Sequence, residues 1–246
     1  MKQTLKNHQL SIGAWITLAH GAMAEIFCRN AFEWVCVDLE HSSITLSQAE
    51  SLIRIIDLHK KFSFVRPSSI DHDQIKRVLD SGAHGIIAPR VNNKEDVEKC
   101  IDAIYYPPVG KRGVGLARAQ GYGDKFEKYR DEELKEKVLI VQIEHIDAVN
   151  NIDEIFNNPL VDGYFIGPFD LSASMGRAGN FNHPEIKEAL EKVKLAAIKY
   201  NIPGGIHVVE ADPIDLQSKI DFGYKFIAYS SDVRILDKHC KFGDIL

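Results

Sequence analysis

Short apolar runs alternate with longer amphipathic stretches along almost the whole chain. Eight of these runs are continuously apolar instead of alternating with polar positions, which is typical of strands buried on both faces of a parallel sheet. The predicted strands cover residues 12–18, 34–39, 62–66, 85–89, 138–143, 163–166, 204–208 and 225–229.

The stretches between these strands carry helical periodicity, at residues 46–58, 74–81, 94–103, 146–156, 184–200 and 212–223. Ser47 with Glu50 has the spacing of a capping box, and Gly82 and Gly223 are typical helix stops. Eight strands alternating with helices predict an α/β fold, a single (β/α)8 TIM barrel. An open doubly wound sheet is the alternative, but no glycine fingerprint follows the first strand.

The whole chain, residues 1–246, is predicted to form this one domain, interrupted by a long loop at about 105–129. The loop is rich in Gly, Pro and aromatic residues and contains Arg112. Loops of this length are uncommon unless they are functional or disordered, and the aromatic content argues against disorder. We therefore expect a lid or an arm that contacts another subunit.

Composition and charge narrow the class of protein. The 246 residues are 45% hydrophobic and 26% charged, which is too apolar for a disordered chain. With 30 basic against 35 acidic residues and no basic cluster, nucleic acid is not expected as a partner. No apolar run is long enough to span a membrane, and the first ten residues lack the apolar core of a signal peptide. A cytoplasmic location is predicted.

The cysteines agree with that location. They lie at scattered positions without metal-site or paired spacing, so buried, reduced thiols are expected. The four are Cys28, Cys36, Cys100 and Cys240.

Ionisable residues follow the predicted strands where the apolar runs end, and in a barrel these ends form one rim that holds the active site. Glu144 and Asp170 follow neighbouring strands. Two carboxylates with water are the usual way to hold Mg²⁺, although acids at strand ends also cap helices.

Other residues on this rim have two interpretations each. His41 is either a general base or a histidine that enters a helix. Arg66 either neutralises a substrate carboxylate or enolate oxygen, or pairs with Asp38 or Glu40. The GPFD stretch at 167–170 either binds an anion through free N–H groups or is an ordinary turn with an N-cap. His207 is the remaining histidine of interest, because it ends the seventh strand.

Six stretches carry a resemblance to a known family. They are WVCVDLEHS at 34–42, FVRP at 64–67, IKRVLDSGAHGIIAPRV at 75–91, YYPPVGKRGVG at 105–115, VQIEHIDAVNNIDEI at 141–155 and VDGYFIGPFDLSASMG at 161–176. Together, and in this order, they resemble the HpcH/HpaI aldolases, class II pyruvate aldolases with a barrel of the phosphoenolpyruvate/pyruvate superfamily type.

The resemblance implies a lyase that cleaves or forms a 4-hydroxy-2-oxo acid, giving pyruvate and an aldehyde through a metal-bound pyruvate enolate. It implies a divalent cation (Mg²⁺, Mn²⁺ or Co²⁺) held by Glu144 and Asp170. It also implies a homo-oligomer, a hexamer arranged as a trimer of dimers with the last helix swapped between neighbours. Only 14 residues follow Asp232, which leaves room for a short swapped helix.

Residue roles carried over by the resemblance cover the rest of the rim. They are Gln142 near the metal-bound waters, Arg66 on the oxo group and enolate, His41 as base with Asp80 as its acidic partner, and Gly167, Pro168, Phe169 and Asp170 at the pyruvate carboxylate. Arg90 departs from an uncharged position in several relatives, so it is expected either to alter the pocket or to pair with a substrate acid. Arg112 matches an arginine near the site without a defined role.

Two other functions stay open from the sequence. One is a lyase acting on a citryl- or malyl-CoA thioester, although neither a basic surface patch nor a longer chain is present. The other is a barrel that has lost catalysis and serves as a binding or assembly subunit; the joint presence of the rim residues argues against it.

Overall fold

The computed structural model describes residues 1–241 and shows a closed barrel of eight parallel strands in sequential order. The predicted (β/α)8 fold is confirmed, and each of the eight predicted strands is present within a few residues. The strands are β1 (Ser11–Ile16), β2 (Trp34–Asp38), β3 (Phe62–Arg66), β4 (Gly85–Ala88), β5 (Val138–Ile143), β6 (Gly163–Ile166), β7 (Gly204–Val208) and β8 (Phe226–Ser231).

The helices surround this barrel, and none of those within residues 1–241 has the length and apolar character to cross a membrane. They are α1 (Lys2–Lys6), α2 (Gly21–Cys28), α3 (Leu46–Leu58), α4 (His72–Asp80), α5 (Lys94–Ile104), α6 (Phe126–Asp131), α7 (Ile146–Asn150), α8 (Ile152–Phe156), α9 (Pro168–Ser174), α10 (Pro184–Tyr200), α11 (Pro213–Phe222) and α12 (Asp232–Cys240). Helix α12 follows β8 directly and lies against β1 and β8. The last five residues lie outside the described part, so the predicted swap of this helix stays a prediction.

Three local predictions were wrong. The capping box of α3 is formed by Thr45 and Gln48, not by Ser47 and Glu50, because the chain is still extended at Thr45 and already helical at Ser47. The predicted helix at 146–156 is two short helices separated at Asn151. Cys240 is exposed, whereas the other three thiols are buried as expected.

Large aromatic side chains fill the inside of the barrel. Trp34 stacks on Phe226 with ring centroids 4.1 Å apart and an angle of 8° between the rings. Gly13 makes this possible, since a Cβ atom there would lie 2.0 Å from the Trp34 ring. Because the interior is filled by these side chains, a polar site can form only at one of the two ends of the barrel.

Helix α1 covers the N-terminal end of the barrel. Leu5 is completely buried in the barrel interior. Lys2 Nζ donates to the Lys137 carbonyl at 2.8 Å and lies 3.4 Å from an Asp162 carboxylate oxygen. The carboxyl ends of the strands therefore form the open end.

The long segment at 105–129 packs against the flank of the barrel. Arg112 is fully buried, and Arg118 pairs with Asp57 on α3 and donates to the carbonyl of Ser81 at 3.1 Å. These contacts tie the segment to the C-terminal ends of α3 and α4 and not to the open end, so the predicted lid is wrong for this chain. The alternative, an arm toward another subunit, stays a prediction.

Candidate active site

Glu144 is the centre of the candidate site at the open end of the barrel. It follows β5 and is 5% exposed. One carboxylate oxygen accepts a 2.7 Å hydrogen bond from the Arg90 backbone N–H, and the other accepts from the Gln142 side-chain amide. Arg90 has a left-handed φ of +54°, and its side chain is exposed. Arg90 thus serves the site through its backbone.

The turn between β6 and α9 closes the second side of the site. A Cβ atom at Gly167 would lie 2.8 Å from both Cβ and Oε2 of Glu144. Only glycine at this position avoids a steric clash with the Glu144 side chain. Pro168 is the first helical residue, and Asp170 lies in the first turn of α9. The Phe169 side chain points to Phe181, with ring centroids 4.8 Å apart. The N–H groups of Phe169 and Asp170 lie in the first turn of α9, where no carbonyl of the same helix can accept from them.

Arg66, at the end of β3, is fixed by carboxylates. Its Nε and Nη2 donate to the two Asp38 carboxylate oxygens at 2.9 and 2.6 Å, and Nη1 lies 3.1 Å from a Glu40 oxygen. Burial opposes the charge on Arg66, but these contacts outweigh it and raise the pKa of the guanidinium. The pairing of Arg66 with Asp38 and Glu40 is thus present, and it leaves the guanidinium rigid and charged.

Negative charge is concentrated around Glu144. The pKa of Glu144 is raised to about 7, first by burial and then by the charges of Glu40 and Asp170, against the two hydrogen bonds that lower it. Burial also raises the pKa of Glu40, which Arg66 and His41 oppose. Three carboxylates close enough to repel one another form a place where a cation is stabilising.

The donor set fits a hard divalent cation. Glu144 and Asp170 supply carboxylate oxygens, and the buried side-chain oxygen of Gln142 has no hydrogen-bond partner among the described residues. Within residues 1–241 no group of three or more His, Cys, Asp and Glu side chains is arranged to hold a metal. Two carboxylates with water complete the octahedral shell that Mg²⁺ prefers without a third protein carboxylate.

His41 and Asp80 lie apart. His41 is at the rim, largely exposed, with Nε2 3.8 Å from a Glu40 oxygen. Asp80 ends α4, which runs toward the N-terminal end of the barrel, and it accepts hydrogen bonds from Arg112 at 2.5 Å and Gln120 at 3.2 Å. Within one chain Asp80 pairs with Arg112 and not with His41, because Asp80 and His41 lie at opposite ends of the barrel, so their predicted pairing stays a prediction.

The structure therefore brings together most of the residues predicted from the sequence. At the open end are Arg66, Gln142, Glu144, Gly167, Pro168, Phe169 and Asp170, with His41 at the edge. Sequence reasoning missed two contributors to this end of the barrel: Trp15, whose ring centre lies 5.3 Å from the Arg66 guanidinium carbon, and the backbone N–H of Arg90. Trp15 lies inside β1, so no strand-end signal was available, and a left-handed backbone is not readable at an arginine.

The comparisons with known proteins show the family of the chain. The family model described as HpcH/HpaI aldolase/citrate lyase matches residues 11–237. A hydroxypyruvate/pyruvate aldolase of Sagittula stellata is 35% identical over 96% of this chain and 92% of its own. A 4-hydroxy-2-oxo-heptane-1,7-dioate aldolase of Salmonella paratyphi C is 34% identical over 96% of this chain and 89% of its own.

A solved structure gives the same result for the fold. The crystal structure of a HpcH/HpaI aldolase/citrate lyase family protein from Burkholderia cenocepacia superposes with a TM-score of 0.92. It is 27% identical and covers 99% of this chain and 97% of that chain. The similarity extends over nearly the whole length of both chains.

Proposed function

Since the chain belongs to the HpcH/HpaI aldolase/citrate lyase family, we propose that its carboxylate site cleaves a 4-hydroxy-2-oxo acid to pyruvate and an aldehyde, or joins them. The observation that carries this is the buried Glu144 carboxylate beside Asp170, with the rigid Arg66 guanidinium in the same rim. The aldolase-named relatives confirm the predicted enzyme class, a carbon–carbon lyase. Their names favour the aldolase over a CoA-thioester lyase or a non-catalytic subunit.

Glu144 and Asp170 would hold the divalent cation, with Gln142 beside its water ligands. A Mg²⁺, Mn²⁺ or Co²⁺ ion there supplies Lewis-acid stabilisation of the negative charge that develops on the 2-oxo oxygen. The charges of Glu40 and Asp170, which add to burial in raising the pKa of Glu144, support this assignment, because a cation relieves the repulsion among the carboxylates.

Arg66 and the start of α9 would orient the substrate. The Asp38 carboxylate holds the guanidinium in one position, so its charge is already in place when an oxyanion forms. The first-turn N–H groups of Phe169 and Asp170, next to Gly167 and Pro168, would bind the substrate carboxylate.

His41 is the candidate base for cleavage. Removal of the proton from the C4 hydroxyl lets the C3–C4 bond break: the aldehyde leaves and the electron pair stays on the pyruvate enolate. A proton then returns to C3 and completes pyruvate. His41 suits proton transfer at the solvent edge, and Glu40 at 3.8 Å can orient its ring.

The small-molecule partners are a 2-oxo acid and an aldehyde, and the protein is proposed to be a homo-oligomer. A role for Asp80 in proton transfer requires a second copy of the chain, because its own His41 is out of reach. Exposed apolar side chains on the 105–129 segment, Val114, Leu116 and Tyr122, fit an intersubunit arm. The hexamer and the cytoplasmic location stay predictions.

Pyruvate release from a panel of 4-hydroxy-2-oxo acids tests the function directly. We expect release with Mg²⁺, Mn²⁺ or Co²⁺ and loss of release with EDTA, and we expect Glu144→Gln to abolish it while the far-ultraviolet spectrum is unchanged. Release that is unaffected by EDTA, or full activity of the variant, would contradict the metal assignment. Borohydride trapping of a pyruvate adduct would replace it with a Schiff-base mechanism.

A further inference from the structure

Two unpartnered ring nitrogens lie inside the open end of the barrel. The His207 ring, on β7, stacks on Trp15 of β1 with centroids 5.3 Å apart and an angle of 22° between the rings. His207 Nε2 and Trp15 Nε1 are both buried, and neither has a hydrogen-bond partner among residues 1–241. Native structures rarely leave buried polar atoms unpaired, so these two atoms point to a ligand group or a water.

The His207 ring is neutral and offers a lone pair. Burial lowers its pKa to about 4, and a hydrogen bond with the Ser230 backbone opposes this. A neutral imidazole has one N–H and one acceptor nitrogen, and in the tautomer with the hydrogen on Nδ1 the acceptor is Nε2. Trp15 Nε1–H, in contrast, is a donor only.

The two nitrogens lie next to the group proposed to bind the oxo oxygen. The Arg66 guanidinium carbon is 5.3 Å from the centre of the Trp15 ring. Trp15 also packs against Phe165 and Trp34, with ring centroids 5.4 and 6.2 Å away, so this part of the pocket has an apolar wall. A polar substituent on the carbon adjacent to the oxo group would find its partners in His207 and Trp15.

We propose that His207 is a specificity residue for 2-oxo acids that carry a hydroxyl on C3, such as hydroxypyruvate. One hydroxyl group satisfies both nitrogens, because it donates to His207 Nε2 and accepts from Trp15 Nε1–H. Unsubstituted pyruvate satisfies neither. This inference rests on the proposed aldolase function and names the substrate class of that site.

Donor competition tests the proposal. Hydroxypyruvate and pyruvate are condensed with the same aldehyde, and kcat/KM is compared for wild type, His207→Leu and His207→Gln. We expect His207→Leu to lower the hydroxypyruvate-to-pyruvate ratio about tenfold, as for the loss of one hydrogen bond to substrate. His207→Gln, which keeps an acceptor, restores part of the ratio. His84→Leu is the matched control, a partly buried histidine at the other end of the barrel, and leaves the ratio unchanged.

Equilibrium binding keeps the test independent of turnover. Titration of each 2-oxo acid in the presence of Mg²⁺, followed by tryptophan fluorescence, gives a ratio of dissociation constants that His207→Leu shifts in the same direction. An unchanged ratio in both measurements means that water alone occupies the two nitrogens and overturns the proposal. If wild type converts neither donor, the aldolase function fails, and the binding ratio still decides the role of His207.

Discussion

At Glu144, one carboxylate combines burial, two hydrogen bonds and the repulsion of two other acids. The donors come from unrelated places in the sequence: an amide two residues away and a backbone N–H 54 residues away. The residue itself is visible in the sequence as an acid after an apolar run. Its raised pKa follows only from the folded structure, which buries it and places Glu40 and Asp170 beside it.

Arg66 provides the clearest test at the residue scale. Arg66→Ala removes the fixed positive charge from the rim, and we expect kcat to fall about 10²- to 10³-fold, as for the loss of one preorganised electrostatic donor. Steady-state pyruvate release measures this. Arg54→Ala is the control, since Arg54 forms an exposed pair with Glu50 on α3. A loss below tenfold would make Arg66 a structural partner of Asp38 and nothing more.

At the scale of one element, the turn between β6 and α9 determines where Glu144 can lie. Gly167→Ala places a methyl group 2.8 Å from Glu144 Oε2, so the carboxylate must move. We expect metal affinity and turnover to fall at least tenfold with the barrel still folded, measured by calorimetric titration of Mn²⁺ and by pyruvate release. Such sensitivity follows because a misplacement of about 1 Å can cost about 10²-fold in rate.

Gly113→Ala is the matched control for this prediction. A Cβ atom at Gly113 meets nothing within 4 Å, and Gly113 is not among the residues with positive φ. If both substitutions lowered metal affinity and turnover equally, the loss would not be specific to the contact between residue 167 and Glu144. Normal metal binding by Gly167→Ala would show that the turn between β6 and α9 does not determine the position of the Glu144 carboxylate.

The 105–129 segment is held by a buried arginine. Arg112 is 1% exposed, and its guanidinium carbon lies 5.2 and 5.6 Å from the Tyr106 and Tyr129 rings. It donates to Asp80 at 2.5 Å and to the Tyr129 hydroxyl at 2.9 Å. The structure thus gives Arg112 a structural role in this chain, away from Glu144 and Asp170.

Removal of one member of a buried ion pair leaves the other charge uncompensated. We expect Arg112→Met to lower the free energy of unfolding by about 3–5 kcal/mol, measured by urea denaturation. Arg130→Met, at an exposed position on α6, is expected to change it by less than about 0.5 kcal/mol. A change below about 1 kcal/mol for Arg112→Met would contradict the anchoring role.

For the whole molecule, His84 links stability to pH. It lies before β4, where Ser63 N–H donates to its Nδ1 at 3.1 Å, and burial lowers its pKa from 6.5 to about 4. The folded state therefore resists protonation, while the unfolded state binds a proton below pH 6.5. The contribution of neutral His84 to the free energy of unfolding is complete above pH 6.5. It is lost as the pH falls toward 4, by up to about 3 kcal/mol.

Replacement of the imidazole isolates this effect. His84→Asn keeps an acceptor for Ser63 and removes the titration, so the free energy of unfolding of the variant should fall less between pH 7 and 4 than that of wild type. Urea denaturation at pH 7, 6, 5 and 4 measures the difference. Parallel pH profiles for the two proteins would show that His84 is not protected from protons in the folded state.

The sequence by itself determined the barrel, because buried parallel strands must be continuously apolar and each leaves its polar residues at the same end. That rule located Glu144, Asp170 and Arg66, and family resemblance added the chemistry. The capping prediction failed for α3, where Thr45, two residues before Ser47, takes the cap, since neighbouring polar residues compete for the same cap.

Only the tertiary structure decided which of those residues meet. Asp80 is close to the site in the family pattern, yet it ends a helix that runs away from the open end and pairs with Arg112. The backbone of Arg90 and the unpartnered ring of His207 were likewise decided by the closure of the barrel. The physical reason is that hydrogen bonds and charge interactions depend on distances between residues far apart in the chain. The hydrophobic periodicity of the sequence does not determine those distances.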